Sequence, residues 1–313
     1  SWIGLGLGIR VESGLILLFN NEEINKKLFE GWKKYRQLLN ETDQLKGNQI
    51  EAWNAHWLTF LFLSKNTKFQ NISLPYKKER SLKKINTQSW IKVLFALTMK
   101  FPNEKLTAYV YSLGQTNTTI GFIQINLPEI KREIEMYNHL IGDFDISIKP
   151  AIEEVYNTEF GFRAACLNGS IGLKEIEPKN IKKYMPGKTR KTKELKFKND
   201  EKTIINYNIY LSWVLAMLND KSTIQKAEKT AEILIEYLEG EKRLKTRSNK
   251  VDKLLQSTSR RSFIENLTEI LIDDKKNGDF FNQVVEEIEK IQANKFPHFL
   301  TLIKFKYNYL KIK

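Results

Sequence analysis

Between Lys179 and Lys198 nine residues are lysine or arginine and only Glu194 is acidic, with Pro186 and Gly187 near the middle. So charged a stretch offers few apolar side chains to bury, and the proline–glycine pair interrupts regular structure. Any core must therefore be built on either side of it. The 313 residues suffice for two domains of ordinary size. The expected organisation is a mixed α/β domain over 1–187, a basic linker over 188–203 and a helical bundle over 204–313. The fold class is α+β: an N-terminal α/β domain with a β-hairpin, followed by a C-terminal helical bundle.

In the first part, residues from Trp2 to Ile9 alternate, with Ile3, Leu5, Leu7 and Ile9 on one face of an expected strand and Gly4, Gly6 and Gly8 on the other. The glycine face has room for a close backbone neighbour. Without a following helix of the right length it makes a poor dinucleotide fingerprint, and no cofactor is expected. Asn21 is placed to start a helix carrying Ile24, Leu28, Trp32, Tyr35 and Leu39 at helical spacing. Trp53, Trp57, Phe60 and Leu61 point to a second helix, and Trp90 to Met99 to a third. Lys77, Lys78, Arg80, Lys83 and Lys84 fall in an expected loop after Pro75. Two β-type runs, Thr107 to Leu113 and Thr119 to Ile125, flank turn-forming residues and predict a hairpin. Pro128 opens a helix closed by Gly142, and another is expected to follow Pro150.

After Thr203 the chain reads as helix. Ile204 to Leu218 is apolar nearly all round and is expected to be the bundle's central helix. Ser222 with Gln225, and Ser262 with Glu265, have capping-box spacing. Phe280, Phe281, Val284, Val285 and Ile288 mark a further helix, and the last begins at Pro297. At least five helices are expected.

The chain carries a formal charge of +14, with 51 lysines and arginines against 37 acids. A polyanion is the partner class this charge favours. The apolar opening is interrupted by Arg10 and Glu12, and no membrane span or signal peptide is expected. With Cys166 as the one cysteine there is no internal disulfide and no thiolate zinc cage, and a cytoplasmic protein is expected. Three basic patches are candidate nucleic-acid contacts. One is the Lys77–Lys84 group. Another is the central segment with Lys188, Arg190, Lys191 and Lys193. The third comprises Lys242, Arg243, Lys245, Arg247, Lys250 and Lys253, with Arg260 and Arg261 just ahead of a helix. Such side chains neutralise phosphates without reading bases. Sequence reading is assigned to the hairpin tip, where the amides of Gln115 and Asn117 offer the paired donor and acceptor that match adenine's major-groove edge.

No catalytic or metal site is expected. His56, His139 and His298 are far apart and none has zinc-ligand spacing, while Cys166 lies among small residues without a base and reads as a buried small hydrophobe. One enzymatic pattern stands as an alternative: Arg132 and His139, seven residues apart on one helix face, have the spacing of HEPN-type ribonucleases. There histidine would supply acid–base catalysis and arginine would stabilise the developing phosphorane. A basic RNA-binding assembly protein is the other alternative.

The stretch VYNTEFGFRAACLNGSIGLKEIEP from Val155 to Pro178, the ensuing basic segment, and a helical tail containing RRSFIENLTEIL and FPHFLTLIKFKY resemble the large subunit of type I CRISPR effector complexes, or Cascade. The likeness is in layout and spans most of the chain. It implies an N-terminal domain contacting the protospacer-adjacent motif and the crRNA end, and a C-terminal bundle beside the small subunits along the displaced strand. It further implies crRNA, target DNA and other CRISPR effector subunits as partners, a role in antiviral defence, and no nuclease activity, the opened DNA passing to a separate helicase-nuclease. The CxxC pair of some subtypes is absent, since Cys166 stands alone. RNA-guided recognition needs the protein to read only a short duplex motif and to hold strands by their backbones.

Overall fold

The computed structural model describes residues 6–41, 45, 48–63, 76–79, 82–113, 117–144, 146, 155–156, 161–178, 201–219, 222–239, 244–273 and 275–312. The architecture is α+β, a mixed sheet with helices up to Ile171 and, among the described residues from Glu201 on, helices alone. Two compact units form, one from Ser1–Asn180 and Asn199–Ile209, the other from Ile181–Lys198 and Tyr210–Lys313. Of the anticipated linker over 188–203, residues 188–200 lie outside the described residues. Residues 201–203 open the helix Glu201–Leu218, along which the change of unit falls.

The first unit is built on a five-stranded sheet of order β1-β2-β5-β6-β7. Its strands are β1 (Ile9–Arg10), β2 (Leu15–Phe19), β5 (Lys105–Ser112), β6 (Thr118–Asn126) and β7 (Ser170–Ile171). All neighbours are antiparallel except β7, which runs parallel to β6 with Gln124 opposite Ser170. Alternation along β5 and β6 sorts the side chains. Leu106, Ala108 and Val110 with Ile123 and Ile125 are buried. Residues of opposite parity, Thr107, Tyr109, Phe122 and Gln124, stay partly or fully exposed. On the buried face lies α3 (Trp90–Lys100), whose Trp90, Val93, Leu94 and Leu97 share an apolar pocket with Leu17, Phe19, Ile125 and Ile171. Next to α3 packs α4 (Leu127–Leu140), which has Pro128 in its first turn as expected and ends just before Gly142.

The helices α1 (Glu22–Glu41) and α2 (Ile50–Leu63) form a second core with Tyr35, Trp53, Trp57 and Ile85. Asn21 caps α1 as anticipated, its Oδ1 accepting the Ile24 N–H at 2.9 Å. The stripe assigned to that helix needs correction. Trp32 and Leu39 are both 39% exposed, and the buried place between Leu28 and Tyr35 is taken by Gly31. A β-carbon on Gly31 would lie 2.5 Å from Trp57 Cδ1, so only hydrogen admits the α2 tryptophans here. Both indole N–H groups then donate to α1 carbonyls, Trp53 to Gly31 at 2.9 Å and Trp57 to Lys27 at 2.8 Å.

The opening strand is also shorter than expected: among the described residues it is only Ile9–Arg10. Gly6 has φ +66, outside the extended region, which ends the alternation read from sequence. The glycine face does receive a close neighbour. A β-carbon on Gly8 would lie 2.5 Å from Ile16 Cγ2, and the buried Asn54 of α2 donates to the carbonyls of Gly6 and Gly8 at 2.7 and 2.8 Å.

The described helices of the second unit are the end of Glu201–Leu218, from Tyr210 on, and Thr223–Glu239, Leu244–Leu255, Arg260–Asp273, Gly278–Lys290 and Phe296–Ile312. The last packs most extensively on Thr223–Glu239. Trp213, Phe263, Phe281, Phe296 and Phe299 are wholly buried, with Phe263 and Phe296 meeting edge to face. The capping reading at Ser262 is displaced by one turn. The N-cap is Ser259, whose Oγ accepts the Ser262 N–H at 3.1 Å, while Ser262 Oγ accepts the Ser259 N–H at 3.1 Å. This is a reciprocal box with serine in the place usually held by Glu or Gln. Glu265 instead pairs with Arg261, so Arg260 and Arg261 are the first residues of the helix and not its approach.

Candidate nucleic-acid interface

The segment expected to be a basic loop is a two-stranded ribbon, β3 (Tyr76–Glu79) against β4 (Leu82–Ile85). Lysine is a poor strand former, which hid the strands from propensity. What holds them is tertiary. Ile85 is buried among Tyr35, Trp53 and Trp57, and its N–H donates to Gln49 Oε1 at 2.6 Å. Gln49 Nε2 donates to the Lys83 carbonyl at 3.4 Å, and the Gln49 N–H donates to Tyr35 Oη at 3.0 Å. The register sets Lys77 opposite Lys84 and Lys78 opposite Lys83. Lys83 and Lys84 are exposed, and Arg80 lies outside the described residues. Like charges directly opposite on a ladder repel. The register thus brings four lysines onto two successive rungs of the ribbon.

The β5–β6 hairpin is present, with a bulge between Val110 and Tyr111. Asn117 is exposed at the start of the returning chain, and Gln115 lies outside the described residues. So do Lys188, Arg190, Lys191, Lys193, Lys242 and Arg243.

The remaining C-terminal cations are largely engaged within the bundle. The Arg247 guanidinium donates to the Tyr237 carbonyl at 2.9 Å and stacks 4.9 Å from that ring's centre. Lys250 donates to Asp273 at 2.6 Å and to the Glu269 carbonyl at 3.0 Å, and Tyr237 Oη donates to the same Asp273 at 2.9 Å. The Lys250 and Tyr237 hydrogen bonds hold the Asp273 carboxyl below its ordinary range. Arg260 donates to the carbonyls of Glu289 and Ile291, at 3.3 and 3.0 Å. Arg261 pairs with Glu265 at 2.8 Å, and Lys253 with Glu269 at 2.5 Å. Lys245 is exposed. A run of cations in sequence is here mostly a set of bonds between neighbouring helices.

Arg132 and His139 both lie on α4, two turns apart, the first half-buried and the second exposed. Between them the buried Glu133 accepts a hydrogen bond from Tyr156 Oη. Cys166 is buried, and burial pushes its thiol up to about 12, where no thiolate forms at neutral pH. His56 and His298 are held below the ordinary histidine range, mainly by burial. Among the described residues no group of three or more His, Cys, Asp and Glu side chains is placed to hold a metal ion, and no helix is long and apolar enough to cross a membrane.

One feature escaped sequence reading. Against the exposed face of β5 and β6 lies an open groove of ≈ 1080 Å³, lined among others by Leu18, Asn25, Phe29, Tyr109 and Phe122. Phe29 is 54% and Phe122 74% exposed. The signal available was the parity of the two strands, which puts Tyr109 and Phe122 on the face opposite Ala108 and Ile123.

No protein-family model matches the chain, and neither does any curated protein or solved structure.

Proposed function

We propose that this protein is a non-catalytic nucleic-acid-binding subunit of an RNA-guided CRISPR effector complex, gripping the backbones of target DNA and crRNA through basic surfaces. The observation that carries the binding reading is the ribbon with its opposed lysine pairs, Lys77 with Lys84 and Lys78 with Lys83. A two-stranded ribbon is narrow enough to enter the major groove of a duplex, and lysine supplies point charges suited to phosphate rather than to base edges. The net charge of +14 adds long-range attraction of the same sign. The placement within an effector complex rests on the resemblance over Val155 to Pro178 and the helical tail.

The test is the salt dependence of duplex binding. Four neutralised phosphates give a slope of log K against log salt of about −3.6. Replacing Lys77, Lys78, Lys83 and Lys84 by alanine is expected to weaken binding to all duplex sequences alike and to bring the slope towards zero. A slope unchanged by the four substitutions in a folded protein discards the ribbon as the grip. The effector assignment is tested separately, by sequencing the RNA that copurifies with the chain from its native cells: a common repeat-derived end on variable spacers is expected, and a random pool of cellular RNA refutes it.

A further inference from the structure

We propose that a path of exposed and half-buried aromatic rings in the first unit is a stacking track for the bases of an unpaired nucleic-acid strand. The rings are Phe122 and Tyr109 on the sheet and Phe29 and Trp32 on α1, and Lys33 and Arg36 meet the strand's phosphates. The track shares no residue with the lysine ribbon.

The rings come in two pairs. Tyr109 and Phe122 are cross-strand neighbours with centroids 5.2 Å apart, and Phe29 and Trp32 are 5.7 Å apart along one helix. Three of the four rings, Phe29, Tyr109 and Phe122, line the same open groove. Arg36 continues the line, its guanidinium 5.9 Å from the centre of the Trp32 ring. Lys33 lies one turn from Phe29 and is exposed.

Charge decides between the occupants such a surface admits. The acids beside the groove are already paired within α1, Glu22 with Lys26 at 2.6 Å and Glu30 with Lys27 at 3.0 Å. Lys33 and Arg36 have no carboxylate partner among the described residues, so the unneutralised charge along the track is positive. Exposed rings flanked at the α1 end by uncompensated cations are complementary to a chain that joins planar bases to phosphates. Every base has a π face, so such a track tolerates any sequence. A protein segment that filled the groove with aliphatic side chains would gain from the apolar rings but not from the cations.

The experiment uses the full chain and two probes, an oligothymidylate of about ten nucleotides, within the range one single-strand site covers, and a duplex of the same length. Wild type is expected to bind the oligothymidylate. Phe29→Ala combined with Phe122→Ala is expected to lower that affinity about tenfold or more, the loss of one to two stacked bases, and to leave duplex affinity unchanged. Phe29→Tyr with Phe122→Tyr should retain it. Lys83→Ala with Lys84→Ala is expected to do the reverse, so failure of the track and failure of the ribbon are separable. Both phenylalanines are largely exposed, and an unchanged melting temperature confirms that the variants fold. The proposal is overturned if wild type does not bind the unpaired strand, or if the double alanine variant binds it as well as wild type. Retention by Phe29→Leu with Phe122→Leu also overturns it, because an apolar groove without π faces then suffices, and the surface passes to a protein partner.

Discussion

Gly31 shows how one missing side chain sets the distance between two helices. With no β-carbon, α1 lets the Trp57 ring, stacked on that of Trp53, lie against Gly31 and lets both indoles donate to its carbonyls. Gly31→Ala puts a methyl 2.5 Å from Trp57 Cδ1, and overpacking of this kind is expected to destabilise the first unit by about 1–3 kcal/mol. Urea unfolding followed by tryptophan emission measures it. His56 supplies a pH dependence. Its Nε2–H donates to the Asn86 carbonyl at 2.7 Å, and Gln88 Nε2 donates to Nδ1 at 3.2 Å, which requires the neutral ring. Burial outweighs the opposing effect of the Asn86 hydrogen bond and, with a smaller contribution from nearby Lys92, leaves its pKa below the ordinary 6.5. The unfolded chain therefore takes up a proton at higher pH than the folded one. The stability His56 contributes is complete above the ordinary value and is lost as pH falls from there towards the lowered one. Melting temperature is expected to drop between about pH 7 and pH 5, and His56→Gln, which keeps a donor and an acceptor but does not titrate, should flatten part of that drop.

At the scale of elements, the lysine ribbon sets stability against binding. Lys83→Glu places an acid opposite Lys78, and exchanging a like pair for an opposite one is expected to stabilise the ribbon by about 0.2–1 kcal/mol. The same change removes two units of positive charge from the proposed grip, so duplex affinity should fall while the melting temperature holds or rises. Measuring both on one variant separates a binding surface, which moves the two oppositely, from a structural one, which moves them together. The helix Arg260–Asp273 offers a second test. Ser259→Ala removes the oxygen that receives the Ser262 N–H and is expected to cost about 1 kcal/mol, whereas Glu265→Ala removes only an exposed pair with Arg261 and should cost a few tenths. Equal losses would mean that Glu265, as the sequence spacing implies, is the true capping partner.

At the scale of the whole molecule the chain divides into two compact units, so a substitution in one is expected to leave the core of the other intact. Arg132 and His139 on α4 give the ribonuclease alternative its test: RNA cleavage by a clean preparation is expected to be unaffected by His139→Ala. Equal losses on His139→Ala and Arg132→Ala, with both variants folded, would establish the alternative. Motif reading is tested in the assembled complex. If Gln115 and Asn117 read a base, their replacement by alanine lowers discrimination between motif-bearing and motif-free duplexes by about 1–3 kcal/mol per bidentate contact and leaves the salt slope unchanged.

The sequence by itself determined what depends on near neighbours along the chain. Helical spacing located α1, α3, α4 and the C-terminal helices, alternation located the β5–β6 hairpin, and Asn21 marked a helix start, because periodicity and capping act within a few residues. It does not specify which side of an amphipathic helix a partner covers: helical spacing favours Trp32 for the core place that Gly31 occupies. Only the tertiary structure decided that Lys77 to Lys84 form strands, since Gln49, Tyr35, Trp53 and Trp57 hold β4 through its Ile85 from distant parts of the chain. It likewise decided that Arg247, Lys250 and Arg260 bond within the bundle rather than stand free, and that Tyr109 and Phe122 open onto a groove shared with Phe29. Charge and apolarity are written residue by residue, but what each group meets depends on contacts between segments far apart in sequence, and those exist only once the chain has folded.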